Sequence, residues 1–296
     1  MSAVSEATIR VRVDPTNPGQ FFACCGLLEL ADRLWGGAEG WFDEKGHFLL
    51  RPWRITPDFS ASVLIDGIVR CPLTNTMTGW ELQRRGDLSS MPKKTREAVP
   101  SLEDEKKALD ALWRESPVLL DEPFHLRVDW FVDERSGGET LKTWAGQQSV
   151  VDIARGMKVL VEAGDFGATP SDDWLSKRST SASLPFNFDA ELGGMGSDRD
   201  VGFSFDPLKS INVRTRPLIE LLAFVGLQRF RPIRITTGNR YRFSLWFDPL
   251  LPEVAATAAC GLLESPHARA FEFRLLYRTK YLKSFLPATP ITGSHR

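Results

Sequence analysis

The stretch from Phe21 to Leu34 constrains this chain most, because it contains no proline and carries apolar side chains on nearly every side of a helical projection. A helix with no polar face to offer water belongs in the middle of a protein. Turn residues Pro15-Thr16-Asn17-Pro18-Gly19 precede it, and Trp35-Gly36-Gly37-Ala38-Glu39-Gly40 ends it.

A second helix is expected from Arg216 to Phe230, and the two share a pattern: Ala23-Cys24-Cys25-Gly26-Leu27 is echoed by Ala223-Phe224-Val225-Gly226-Leu227. The echo fits a duplicated unit. It equally fits two helices that each need a small residue where a neighbour comes close.

Around these helices the period shifts to two. Ile9, Val11 and Val13 alternate with polar residues as in a half-buried strand. Further strands are expected at Gly46 to Leu50, Phe124 to Trp130, Ile233 to Ile235, Tyr241 to Phe247 and Phe271 to Leu276. Helices are expected from Ser101 to Arg114, with acids in the first turn, from Ser149 to Ala163, and over the small residues Pro252 to Leu263. Between Arg70 and Pro100 the pattern is irregular and polar, which predicts a long surface loop. The sum is an α+β fold of mainly antiparallel sheets with packed helices, with room for two ferredoxin- or RRM-like lobes. A run rich in Gly, Ser, Asp and Pro suggests an N-terminal lobe over 1–164, a loop-rich connection over 165–208 and a C-terminal lobe over 209–296.

The 42% apolar and 25% charged fractions are those of a globular chain, which excludes extended disorder or a coiled coil. Neither a membrane helix nor an export signal is apparent, so a cytoplasmic protein is expected. Cys24, Cys25, Cys71 and Cys260 are too few for a disulfide framework and are expected as buried thiols. With His47, His125, His267 and His295 they show no metal-ligand spacing, and no metal or cofactor is expected.

The net charge of −1 conceals a segregation. Residues 209 to 296 carry 14 Lys and Arg against 5 Asp and Glu, a local +9 that leaves −10 on residues 1 to 208. Lys209, Arg214, Arg216, Arg229, Arg231, Arg234, Arg240 and Arg242 face only the acid Glu220 in their stretch, and Lys280 and Lys283 follow. Arginine forks suit phosphate oxygens, and Tyr241 or Trp246 between them would stack on an unpaired base. The competing explanation is that these cations neutralise the acids of the first two thirds inside the fold. A second basic group, Arg84, Arg85, Lys93, Lys94 and Arg96, lies in the expected loop. There a groove contact and a solvated loop explain it equally well.

The blocks Asn17-Pro18-Gly19-Gln20-Phe21-Phe22-Ala23-Cys24-Cys25-Gly26-Leu27-Leu28-Glu29-Leu30 and Arg216-Pro217-Leu218-Ile219-Glu220-Leu221-Leu222-Ala223-Phe224-Val225-Gly226-Leu227-Gln228-Arg229-Phe230-Arg231-Pro232 resemble the Csb-type signature proteins of type I-U (also I-G) CRISPR loci. Tyr241-Arg242-Phe243-Ser244-Leu245-Trp246 and Tyr277-Arg278-Thr279-Lys280-Tyr281-Leu282-Lys283 extend that resemblance over most of the chain. It implies a subunit of a Cascade-type complex whose partners are guide RNA, target DNA and the backbone subunits. In such complexes sequence is read mainly by base pairing. The opening block also resembles the start of some large subunits, which implies sensing of the motif that flanks the target.

No catalytic residues are expected. The sequence has no Gly-x-Ser-x-Gly elbow and no histidine pair, and Gly193-Gly194-Met195-Gly196 lacks the end of a phosphate-binding loop. His47 and His125, each solitary in an apparent strand, are expected as half-buried structural side chains. The alternative is a guide-processing or metal-dependent nuclease built on Asp198, Asp200 and Asp206.

Overall fold

The computed structural model describes residues 7–134, 137–144, 148–164, 166, 172–181, 185–190, 213–235, 239–263, 268–277 and 283–291. Its elements, in chain order, are β1 (Ile9–Arg12), α1 (Pro18–Trp35), β2 (Ala38–Phe42), β3 (His47–Pro52), α2 (Ala61–Arg70), β4 (Leu73–Asn75), α3 (Gly79–Ser90), α4 (Lys93–Glu97), α5 (Pro100–Glu115), β5 (Val118–Leu120) and β6 (Leu126–Val128). There follow α6 (Gly138–Leu141), α7 (Val150–Ala163), β7 (Ser179–Ser181), β8 (Val213–Thr215), α8 (Pro217–Gly226), β9 (Ile233–Ile235), β10 (Arg240–Leu245), α9 (Pro252–Ala259), β11 (Arg269–Tyr277), β12 (Lys283–Phe285) and β13 (Thr289–Pro290). The fold is α+β, and its strand pairs are antiparallel.

Helix α1 starts where the sequence says it should. Asn17 caps it by accepting from the backbone N–H groups of Gly19 and Gln20, Pro18 occupies the first turn, and Gly36 ends it in the left-handed region at φ 68°. Every residue from Pro18 to Ala31 is buried. One side of the helix packs on α8, crossing with the small residues Gly26 and Gly226 in contact. Phe21 and Phe22 meet Phe243 and Phe273 of the C-terminal sheet, with Phe21 stacked on Phe243 at 4.2 Å between centroids. One apolar core therefore runs from Ile9 to Ala288 and is shared by the two expected lobes.

The N-terminal sheet has the order β1-β3-β2 and the C-terminal sheet β12-β11-β10-β9, with β13 added beside β11. The chain beyond β10 joins them, because Gly40 and Leu250 exchange backbone hydrogen bonds at 3.0 and 3.1 Å. Strand β2 lies in the glycine-rich stretch expected only to end α1. Gly40 is needed there, since a Cβ would collide with Phe48 and come within 3.2 Å of Leu28.

The expected long loop between Arg70 and Pro100 is not a loop. Helices α3 and α4 occupy it, and α3 opens with a capping box in which Thr78 and Glu81 bond each other's backbone N–H. Together with α5 they enclose a small separate core of Met77, Leu88 and Leu109. A third sheet, β4-β5-β6, follows. Of the expected connection over 165–208, Phe186 and Phe188 lie inside the core, stacked on each other with Phe186 also stacked on Phe224. No helix among the described residues is long and apolar enough to cross a membrane.

Candidate nucleic-acid interface

Among the described residues the basic positions separate into those used by the fold and those that face solvent. Arg84 reaches from α3 to Glu105 of α5 through Nε at 2.8 Å and Nη2 at 2.7 Å. Arg85 donates to Asp110 at 3.0 Å and lies over the Trp113 ring. Arg96 bonds Glu103 and caps the end of α3 through the carbonyls of Leu88 and Met91. Lys93 pairs with Glu97 within its own helix at 3.5 Å, and Lys94 is exposed. Arg84, Arg85 and Arg96 therefore form ion pairs that hold a helical hairpin, Lys93 and Lys94 lie on its surface, and the groove-reaching loop is corrected. Thr74 donates to Asp121, Asn75 accepts from Met77 N–H in a turn, and Thr78 caps α3.

Arg216 is buried and grips the equally buried Asp189 with two N–H groups. Asn17 also donates to Asp189, at 2.8 Å, and accepts from Ala190 N–H, while Glu220 accepts from the N–H groups of Phe188 and Asp189. The two sequence blocks that carry the resemblance thus meet in one buried polar network. Arg229 bonds Glu29 and Glu253, and the bond to Glu29 holds its guanidinium charged above the usual arginine range. Arg231 pairs with Asp133 at 3.0 Å. For Arg216, Arg229 and Arg231 the internal-pairing explanation is the correct one, and phosphate contact by these three is corrected. Lys209 and Lys280 lie outside the described residues, as do Gly193 to Gly196 and Asp198, Asp200 and Asp206.

The aromatic expectation is corrected as well. Tyr241 is 1% exposed with its hydroxyl donating to Thr140, and Trp246 is 3% exposed with its indole N–H donating to Gly40 O at 2.7 Å. Tyr241 shares with Phe243 and Leu245 the face of β10 turned to α1, and Trp246, just past the strand, packs edge-on against Phe21 and Phe42. His47 sits beside Asp43 and Arg10, and His125 occupies an exposed left-handed turn at φ 47°.

The opposite face of β10 is different. Arg240 and Arg242 alternate with the buried residues, and the pairing of β10 with β11 sets Arg240 opposite Arg274 and Arg242 opposite Glu272. Ile233 and Ile235 of β9 flank them on the same face. Arg240 pairs with Glu272 at 3.1 Å, whereas Arg274 is exposed and has no ion pair among the described residues. Arg242 Nε is buried and finds no hydrogen-bond acceptor among the described residues. A guanidinium cannot shed its charge, so that N–H calls for an acceptor, whether water or a ligand oxygen. Arg234 and Arg214 are exposed on β9 and β8.

Sequence reasoning missed Arg274 and Tyr277. The signal was present, because Phe271, Phe273 and Leu275 alternate to one face and leave Arg274 on the other. Lys283 donates to Thr140 O at 3.0 Å and stands over the Tyr277 ring. Burial pushes its ammonium pKa down; Glu139 opposes that shift, and Lys142 and Arg234 add to it. No group of three His, Cys, Asp or Glu side chains is placed to hold a metal among the described residues. No family model matches the chain, and neither the curated proteins nor the solved structures yield a match.

Proposed function

We propose that the protein is a non-catalytic subunit of a CRISPR interference complex of the type I-U (I-G) kind, contacting guide RNA and target DNA through the outer face of its C-terminal sheet. The resemblance of the two long blocks supports the assembly. The contact rests on one observation: Arg240, Arg242 and Arg274 stand together on the outer face of the sheet with one acid, Glu272, between them among the described residues. Such a surface supplies sequence-independent grip on a sugar–phosphate backbone, which suits a protein that leaves sequence to base pairing.

Two measurements test this. Affinity for a polyanion should fall with salt, and replacing Arg242 and Arg274 by Ala should flatten the slope of log affinity against log salt by roughly 0.7 to 0.9 for each phosphate no longer engaged. Expression beside its neighbouring genes should yield the protein in a particle that holds guide RNA. Salt-independent binding would exclude the surface, and purification free of RNA and of other subunits would exclude the assembly.

A further inference from the structure

Strand β11 sends Phe271, Phe273 and Leu275 into the core, and the next residue on that face, Tyr277, lies beyond the core's edge with 47% of its surface exposed. Lys283 is its partner in register on β12, and the Lys283 ammonium stands 5.3 Å from the ring centroid. The lysine is held in place by the Thr140 carbonyl, and its backbone N–H donates to Thr143 O. No carboxylate bonds it among the described residues. Lys142 and Arg234 are near enough to repel its charge, and the exposed Glu139 is the acid that offsets them.

An exposed ring with an ammonium group against it, and with the exposed Arg234 guanidinium close enough to act on that ammonium, has a specific ligand chemistry. A flat π-face stacks on any exposed base, and the neighbouring ammonium and guanidinium groups suit the phosphates on either side of it. Bases inside a duplex are already stacked and cannot offer that face. We infer that Tyr277 is a stacking platform for an unpaired nucleotide of a single strand, with Lys283 and Arg234 holding its phosphates. This rests on the nucleic-acid reading proposed above and adds to it the strandedness of the ligand.

The test uses the full chain and fluorescence anisotropy with a labelled single strand, a duplex of equal length, and free AMP as competitor. Tyr277→Ala should weaken single-strand binding about tenfold or more and leave duplex binding and the salt slope unchanged. Tyr277→Phe and Tyr277→Trp should keep the parent affinity, which separates stacking from loss of fold. Lys283→Ala should lower the single-strand salt slope by roughly 0.7, the value for one phosphate. Equal single-strand affinity in Tyr277→Ala and the parent overturns the inference, as does an equal loss for duplex. Displacement by millimolar AMP would make the site a mononucleotide pocket and likewise overturn it. If Arg242 and Arg274 variants lower affinity while Tyr277→Ala does not, only this inference is lost; if no polyanion binds, the proposed function goes with it.

Discussion

Gly26 and Gly226 face each other where α1 crosses α8, each pressed against the other helix's backbone. A Cβ built on Gly26 would run into the carbonyl oxygen of Leu222, and one on Gly226 into that of Phe22. The relation is reciprocal, because the Phe22–Gly26 and Leu222–Gly226 turns present the same atoms to each other. The close-approach reading of the Ala-x-x-Gly-Leu echo is therefore correct, and the symmetry of the contact is also what a duplicated unit would show. A methyl group here meets backbone, which cannot rotate away. Gly26→Ala and Gly226→Ala should each cost at least about 3 kcal/mol, the upper end of the overpacking range, as measured by chemical denaturation. Losses below half of that would mean that the helices are free to slide apart.

Arg216 and Asp189 form the other fixed point. Both are buried, and Asn17 and the start of α8 are tied into the same network. Removing Arg216 takes the cation and its two hydrogen bonds from a carboxylate that stays in the core, so Arg216→Met should destabilise by about 3 to 5 kcal/mol. The double variant Arg216→Met with Asp189→Leu removes both charges and should recover part of that loss. Thermal melts of the two variants check this, and a double variant less stable than the single one would contradict it.

Legibility in the sequence followed where each element gets its stability. Strand β1, helix α1, helix α7 and strands β9 to β11 are set by apolar period, and their residues announce them. Helix α5 announces itself by its acidic first turn, whereas α3 does not; both are polar over most of their surface and stay together through Arg84–Glu105 and Arg85–Asp110, pairs 21 and 25 residues apart. No local pattern reports a bond of that kind, although the Thr78-x-x-Glu81 capping box was a visible start signal. The basic C-terminal third was legible as composition but not as surface. Arg229 and Glu29 are 200 residues apart, and only the fold shows that they neutralise each other. Tyr241 was misread although alternation with Phe243 and Leu245 already placed it on the buried face.

Acid should loosen the α3–α5 hairpin first. The bonds from Thr78 hold Glu81 below its usual range, and the Arg84 fork does the same for Glu105. Partial burial pushes Asp110 up, yet Lys106 and Arg85 outweigh it and leave it low. Carboxylates held low in the folded state stabilise above their unfolded pKa of about 4, and that contribution disappears as pH falls through the depressed folded values. Hydrogen-exchange protection factors in α3 and α5 should therefore drop below about pH 4 before those in α1 and α8. A parallel decline of all four helices would show that these pairs contribute nothing local.

The buried thiols should be inert in the native state. Cys24 and Cys25 are fully buried and burial pushes both well up, with Cys71 raised to about 11 and Cys260 raised as well. Alkylation requires thiolate, so iodoacetamide at neutral pH should label the buried Cys24, Cys25 and Cys71 only as fast as the protein opens; Cys260, expected as buried, is partly exposed and should react slowly because its pKa is raised. Rapid labelling of Cys24 or Cys25 in native buffer would mean that α1 is more accessible than its packing allows.

Arg229 and Arg231 separate the two accounts of the basic C-terminal third. If their charge were free for phosphate, replacing them by Ala would flatten the salt dependence of polyanion binding. They are instead bonded to Glu29, Glu253 and Asp133, so the slope should stay at its parent value while Arg242→Ala with Arg274→Ala lowers it. The cost should appear in stability. Glu29 is 2% exposed and, among the described residues, keeps Arg33 alone as a cation when Arg229 is removed, so Arg229→Ala should destabilise by about 1 to 3 kcal/mol. Arg231→Ala breaks a more exposed pair and should cost under about 1 kcal/mol. Denaturation midpoints and salt titrations on the same samples check both halves, and a flattened slope in the Arg229 variant would return that residue to the interface.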